Sequence, residues 1–276
     1  MRTLVHPGPV HPQRIQSLSG EPLALEFVLQ PGLSLNDALT GPLVAAGWRG
    51  GTLAFGGGTL SPFRYVMPGP PDSDAHVAYF SAPREVAGAT RIERANATFG
   101  WQGDQPFVHV HGAWIEPDGA RRGGHMVPHV CVVAQPMPVQ AWGFTEAEIA
   151  TAPDTETNFT LFQLTGRAAD GTRGVVARVR PNEDITLAVE EVARRHGLRD
   201  ADLRGSLGSL VGARFTDGRV VGDHATEVLI RSGNVRDGIA ALDMLVVDMA
   251  GHVHEGRLAR GENAVCITFD LVLEAV

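Results

Sequence analysis

The residues with the clearest chemical potential lie between Phe107 and His129, in the run FVHVHGAWIEPDGARRGGHMVPH. The stretch reads as a β-hairpin. Phe107 to Glu116 alternates as a strand does, Pro117-Asp118-Gly119 carries turn chemistry, and Met126 to Val133 returns as a second apolar run. His109 and His111 are two residues apart, so a strand points both at one face, with about 6–7 Å between them at the backbone. That separation lets two imidazoles reach one metal ion. With a turn centred on Asp118-Gly119, an unbroken ladder places His125 opposite Gly112, on the wrong face. A glycine bulge at Gly123-Gly124 would shift the register by one residue and turn His125 toward His111. Three neutral imidazoles and one open position describe a catalytic-type site for zinc or a similar divalent metal, one ion per chain. His129, after Pro128, reads as a surface or structural residue.

The rest of the chain must position this hairpin. Its 276 residues, 43% hydrophobic, can bury one large core or two of ordinary size. Glycine (33) and proline (18) are abundant and turn signals recur, which favours a strand-rich fold with short connections. A formal net charge of −8 argues against a broad nucleic-acid surface, although local arginines can hold an anionic metabolite. The sequence contains no lysine, which excludes Schiff-base chemistry and a P-loop lysine. Cys131 and Cys266 lie in apolar strand-like runs and read as reduced core residues. The N-terminus (MRTLVHPGPVHPQ) has prolines where a signal peptide needs an apolar run, and no segment reads as a bilayer span. The expectation is a cytoplasmic protein with no membrane association.

An internal repeat organises the chain. Pro31, Leu39, Gly47, Leu53 and Gly58-Thr59-Leu60 match Pro181, Val189, Gly197, Leu203 and Gly208-Ser209-Leu210 at a constant offset of 150 positions. Each unit predicts a strand, a helix, a second strand and a Gly-rich bend. In the second unit Asn182 or Asp184 can cap the helix, Ile185, Ala188, Val189 and Val192 form its apolar face, and Gly197 stops it. In the first unit the helix starts at Ser34, and Gly41-Pro42 should break or bend it. Further on, Glu93 falls on Glu227, and the hairpin falls on Ala241 to Leu258 at an offset of 132. That offset puts Ala241, Asp243 and Arg257 where the first unit has His109, His111 and His125. His252 and His254 are out of register, beside the turn, and read as solvated. Pro136 to Thr157, proline-rich and acidic, reads as a linker or strap, dividing the chain into units 1–145 and 146–276. Met67 to Ser81 reads as a lid or a plain excursion, with His76 exposed.

Together these residues resemble the plants-and-prokaryotes conserved (PPC) domain, present as two tandem copies. The resemblance is carried by Pro181 to Gly197, by the GSLGSL bend (Gly205 to Leu210) with its partner GGGTL (Gly56 to Leu60), and by HVH…DG…GGHM from His109 to Met126. It implies an α+β fold, each copy a mostly antiparallel sheet packed around one main helix, and assembly as a homotrimer. It also implies that His109, His111 and His125 bind zinc near a subunit boundary, while the second copy, without metal ligands, is structural or supplies a wall to a neighbour's pocket. Plant members carry basic AT-hook segments. This chain has none, so DNA binding is not carried over. A rival reading takes Gly103, His109, His111, Glu116 and Gly123 as a first cupin motif with Glu116 a ligand for Fe or Mn. No second cupin motif follows, and alternation puts Glu116 on the face opposite His111.

The expected function is therefore that of a zinc-dependent enzyme, or a binder, acting on a small polar and anionic metabolite by hydrolase, lyase or isomerase chemistry. Candidate substrate contacts are Thr59 and Ser61 in the Gly-rich bend and Arg64 just beyond it, with Glu93 as base or orienting carboxylate. The competing classes are a regulatory protein with a structural metal and a DNA-binding protein.

Overall fold

A computed structural model describes residues 1–71, 73–169 and 173–276. The fold is α+β: two large, mostly antiparallel sheets and, among the described residues, two α-helices. Helix α1 (Leu35–Ala45) begins at Ser34, whose Oγ accepts from the Asp37 amide at 3.0 Å. It runs on through Pro42 instead of breaking there, since Leu35, Ala38, Leu39 and Leu43 are all buried against the first sheet. That packing outweighs the single backbone hydrogen bond a proline removes. Helix α2 (Ile185–Arg195) is capped by Asp184, whose Oδ1 accepts from the Leu187 amide at 2.9 Å, and it ends before Gly197 at φ +67°.

The first sheet has 11 strands. Its main path runs Leu23–Leu29, Met137–Phe144, Gly50–Phe55, Thr90–Gln102, Gln105–Ile115, Arg121–Met126, Phe63–Val66 and Arg84–Val86. The second sheet, of eight strands, runs Ile15–Gly20, Gly174–Val179, Val265–Ala275, Ala201–Leu203, Thr226–Arg236, Ile239–Val247 and Val253–Arg257, with Leu207–Leu210 off this path. The hairpin pairing of the first half recurs in the second. His111 stands opposite His125, and Asp243 stands opposite Arg257.

The sheets do not part at 145/146. Ile15–Gly20 crosses over to pair with Gly174–Val179, while Ala147–Pro153 and Thr160–Gly166 attach to the first sheet. Nor is Pro136 to Thr157 a linker. Met137, Val139 and Ala141 alternate into the first core, and Ile149 packs with Phe144, Phe162, Val176 and Val272 in a cluster shared by both halves. A period-2 apolar pattern outweighs the local proline and acid content. A second shared cluster joins Ala113 to Leu207, Leu229, Leu245 and Val247. The two halves are thus packed face to face, and the histidines lie where they meet.

Candidate metal centre

The hairpin turn sets the register of the histidines. The Glu116 amide donates to the Ala120 carbonyl and the Gly119 amide to the Glu116 carbonyl, each at 2.9 Å, closing a three-residue loop, Pro117 to Gly119. Gly119 sits at φ +86°, the left-handed position such a loop needs. A three-residue loop, unlike a two-residue one, places His125 opposite His111 with no break in the ladder. The bulge expected at Gly123-Gly124 is therefore absent. Those glycines are there for space: a Cβ on Gly123 would lie 2.5 Å from Val247 of the second half, and one on Gly124 2.5 Å from the Val66 carbonyl oxygen. The register shift in this region lies on the other side, where Gln105–Ile115 meets Thr90–Gln102 beside Ala113.

His109, His111 and His125 come together as a compact group whose ligand nitrogens all lie within 4.8 Å of one another. Nε2 of His109 is 2.9 Å from Nε2 of His111. The second half closes the group. Glu227, buried on Thr226–Arg236, brings Oε2 to 2.8 Å from His111 Nε2. His111 Nδ1 stands 3.2 Å from the Val228 carbonyl oxygen, which fixes the ring and leaves Nε2 facing Glu227 and His109. Nδ1 of His125 is buried with no hydrogen-bond partner.

The electrostatics follow from crowding. Burial, then the neighbouring His111 and His125, hold His109 well below the ordinary histidine range. Burial and His111 hold His125 down at about 4. Burial would also lower His111, but the Glu227 carboxylate outweighs it and raises the ring. Burial would raise Glu227, and His111 outweighs that in turn. The surroundings thus favour charge on the His111–Glu227 pair and disfavour it on His109 and His125. Deprotonated, the four side chains present more lone pairs than donors in a water-poor place, with one nitrogen already orphaned. Three imidazoles and a carboxylate are a donor set that suits a divalent transition metal. The residues present fit such an ion.

Beneath the triad the cross-strand neighbours of the histidines tie the halves together. Asn96, opposite His111, donates to the carbonyls of Ser206 (3.0 Å) and Ile230 (2.9 Å). Thr98, opposite His109, donates to Asp270 Oδ2 at 3.0 Å. Burial pushes the Asp270 carboxyl up to about 6, against the pull of Arg178 and Thr98. Two adjoining cavities open beside the triad. One reaches Glu227, Ser209 and Thr226, and the other reaches Asp270; both are walled by Phe80, Phe159 and Leu161.

The other residues singled out from sequence lie elsewhere. Glu93 bonds Arg121 (2.6 Å), nearer the turn of the hairpin than the triad. The Thr59 carbonyl accepts from the amides of Ala134 and Gln135, the Ser61 amide donates to the Val132 carbonyl, and Arg64 pairs with Glu85. None of these four lines either cavity. Ser209, the repeat equivalent of Thr59, lines the cavity in its stead, beside Glu227; Glu227 matches Glu93 in sequence, but strand pairing sets it where the first half has Arg91. Glu116, the cupin-type candidate, accepts from Tyr65 Oη at 2.8 Å at the turn end of the hairpin, outside the histidine group. His129 stacks on Phe107. His76, expected exposed, is half-buried against Tyr79 and Phe159. From the same tract, Phe80 places its ring 5.1 Å from that of His125; Asp72 lies outside the described residues. His252 and His254 both turn to Asp248. Cys131 and Cys266 are buried free thiols, and no helix among the described residues is long and apolar enough to cross a membrane.

Residues 166–276 match the model of the Plants and Prokaryotes Conserved (PCC) domain. Among solved structures, a plant- and prokaryote-conserved protein from Pyrococcus horikoshii is 16% identical, with a TM-score of 0.41 over 51% of this chain and 91% of its own. A metal-containing protein from Archaeoglobus fulgidus is 16% identical, with a TM-score of 0.43 over 53% of this chain and 97% of its own. A hypothetical protein from Salmonella enterica is 18% identical, with a TM-score of 0.40 over 55% and 99%. No curated protein matches the sequence.

Proposed function

We propose, for a chain that carries a Plants and Prokaryotes Conserved domain over residues 166–276, that it is a tandem protein of two such units with a divalent metal centre between them. His109, His111 and His125 of the first unit would hold the ion, zinc or a similar metal, one per chain, with Glu227 of the second unit as a fourth donor or as proton acceptor. The reading is that of a metal-dependent enzyme or binder for a small molecule. A bound metal of this kind supplies Lewis acidity, lowering the pKa of a coordinated water to about 7 or polarising a carbonyl.

The chain's own residues do the rest. Val228 orients the His111 ring through its carbonyl. Glu227 is placed to take a proton at Oε2, the atom 2.8 Å from His111. Phe80, Phe159 and Leu161 limit the entry of bulk water. The observation that carries the reading is the compact cluster of three imidazoles, His111 buried and the other two half-buried, faced by a carboxylate from the other half.

Elemental analysis of the purified protein tests it. One equivalent of metal per chain is expected, with loss of that metal in His109→Ala and in His125→Ala. Two equivalents, or metal unchanged in either variant, overturns the assignment. A His111→Ala variant separates a catalytic from a purely structural ion. If it melts like the wild type but no longer binds ligands, the reading of an enzyme or binder stands; if it unfolds, the metal serves mainly to join the halves.

A further inference from the structure

Resting on the metal-centre reading, we propose that the cavities beside the triad select a small ligand with an apolar, ring-sized body and one uncharged metal-binding group, and discriminate against anions. The expectation from sequence was an anionic metabolite, held by arginine. The walls say otherwise. Toward the mouth they are apolar or aromatic: Tyr79, Phe80, Phe159, Leu161 and Ile267. Tyr79 and Phe80 are each 38% exposed, leaving ring faces at the mouth for a ligand to cover. Polar residues gather at the floor, where the triad and Glu227 lie with Ser209, Thr226 and Thr268.

Charge decides the class. No arginine is among the described residues lining either cavity, and the chain has no lysine. Arg178 stands behind Thr268, donating to its hydroxyl at 3.0 Å and to Asp154 at 2.8 Å, and lines neither cavity. The ionisable acids at the floor are Glu227 and Asp270, both buried. Glu227 offsets half the charge of a divalent ion, Asp270 is set against Arg178, and no cationic side chain among the described residues reaches the cavities, so an anionic ligand has only the ion to set against the hydration it must give up on entry. A neutral donor gives up far less, and an apolar ring attached to it gains by leaving water.

Three probes that coordinate through the same azole nitrogen isolate the body from the head: imidazole, 4-phenylimidazole and imidazole-4-acetate. Calorimetric titration of the full chain at neutral pH, metal-loaded and metal-free, should give 4-phenylimidazole an affinity about 10- to 100-fold above that of imidazole. Imidazole-4-acetate should bind more weakly than imidazole. Phe80→Ala, a change at a partly exposed position, should shrink the ratio of phenylimidazole to imidazole affinity at least threefold. An anionic probe that binds as tightly as imidazole or better, or a phenyl group that adds nothing, overturns the proposal. Metal bound at one equivalent with that order absent refutes the ligand class and leaves the metal centre standing. No metal bound overturns the metal centre and with it the metal-binding head of the ligand, even where the metal-free protein keeps the preference for the phenyl body.

Discussion

Glu227→Gln changes one charge and almost no volume, so it isolates what the second half contributes to the site. Oε2 lies 2.8 Å from His111 Nε2, and a cation held by His111 would sit within a few ångströms of it. At an effective dielectric of about 20, a unit charge about 4 Å from a divalent ion contributes on the order of 8 kcal/mol. Most of that is offset by the cost of taking both charges out of water. What survives is smaller: losing a carboxylate that flanks metal ligands weakens metal binding about 10- to 100-fold, equivalent to about 1.4–2.8 kcal/mol. The zinc dissociation constant of Glu227→Gln should rise by that factor. Competition against a chromophoric chelator at fixed pH and ionic strength measures it. Metal-free melts serve as the control, because the glutamine amide can donate to His111 Nε2 and keep the ring in place. A zinc affinity within twofold of the wild type, alongside metal loss in His125→Ala, would refute the reasoning. The carboxylate would then serve only to neutralise a proton on His111.

Three further outcomes follow from the same structure. Asp154 is buried between Arg178 Nη2 (2.8 Å) and Arg180 Nη1 (2.6 Å), so Asp154→Asn leaves two buried guanidinium groups unpaired and should cost about 3–5 kcal/mol in urea unfolding at neutral pH. Burial would raise the Asp154 carboxyl, but the two arginines outweigh it and hold it well below the usual range. The native state therefore binds fewer protons than the unfolded one. Its contribution is complete above about pH 4 and lost as the pH falls further, and Asp154→Asn should flatten the stability slope between about pH 2 and pH 4; an unchanged slope would count against the pairing. Chelation should lower the melting temperature by about 5–10 °C where free zinc had stood near 100 times its dissociation constant, and His109→Ala should show no chelator-dependent shift. Gly124→Ala, with φ +153° and a Cβ 2.5 Å from the Val66 carbonyl oxygen, should cost about 1–3 kcal/mol and release metal faster than wild type, because His125 follows it directly; a variant as stable and retentive as wild type would show that the strand can shift without moving the ring.

What could be read from sequence divides along the range of the interactions. Local signals were legible. The Asp184 cap, the apolar face of α2, the left-handed stop at Gly197 and the same-face histidines of the hairpin all depend on neighbours a few residues away. The facing of His125 and His111 was also anticipated, but for the wrong cause: the extra residue sits in the turn at Gly119, not in a bulge at Gly123. Glycines mark both places, and sequence alone does not say whether a glycine is needed for its φ or for its missing Cβ. The strand Met137–Phe144 was masked by proline and acid content, although its burial alternates. The exchange of Ile15–Gly20 into the second sheet carried no local signal, because an edge strand can pair with any exposed edge of matching pattern.

The site itself shows why the remaining positions were misplaced. Thr59, Ser61 and Arg64, in and beyond the Gly-rich bend, and Glu93 all belong to the unit that carries the triad. The copy of Thr59 that reaches the cavity is Ser209, and the acid there, Glu227, stands opposite Ser209 just as Arg91 stands opposite Thr59, so the sequence match of Glu93 to Glu227 is two residues out of the structural register. Two halves with matching hairpins offer two candidates for each role, and only the docking of one half on the other decides which faces which. At the positions of the second hairpin that match His111 and His125, Asp243 and Arg257 stand instead, and Arg231 reaches Asp243 at 3.4 Å and Glu255 at 2.7 Å. One hairpin thus meets the interface with rings that can share a cation, the other with fixed charges. Because the triad and Glu227 come from different halves, any free energy of metal binding that depends on Glu227 is also free energy of docking, and the two are linked reciprocally. A metal that binds more tightly when the halves are packed must hold them more tightly in return.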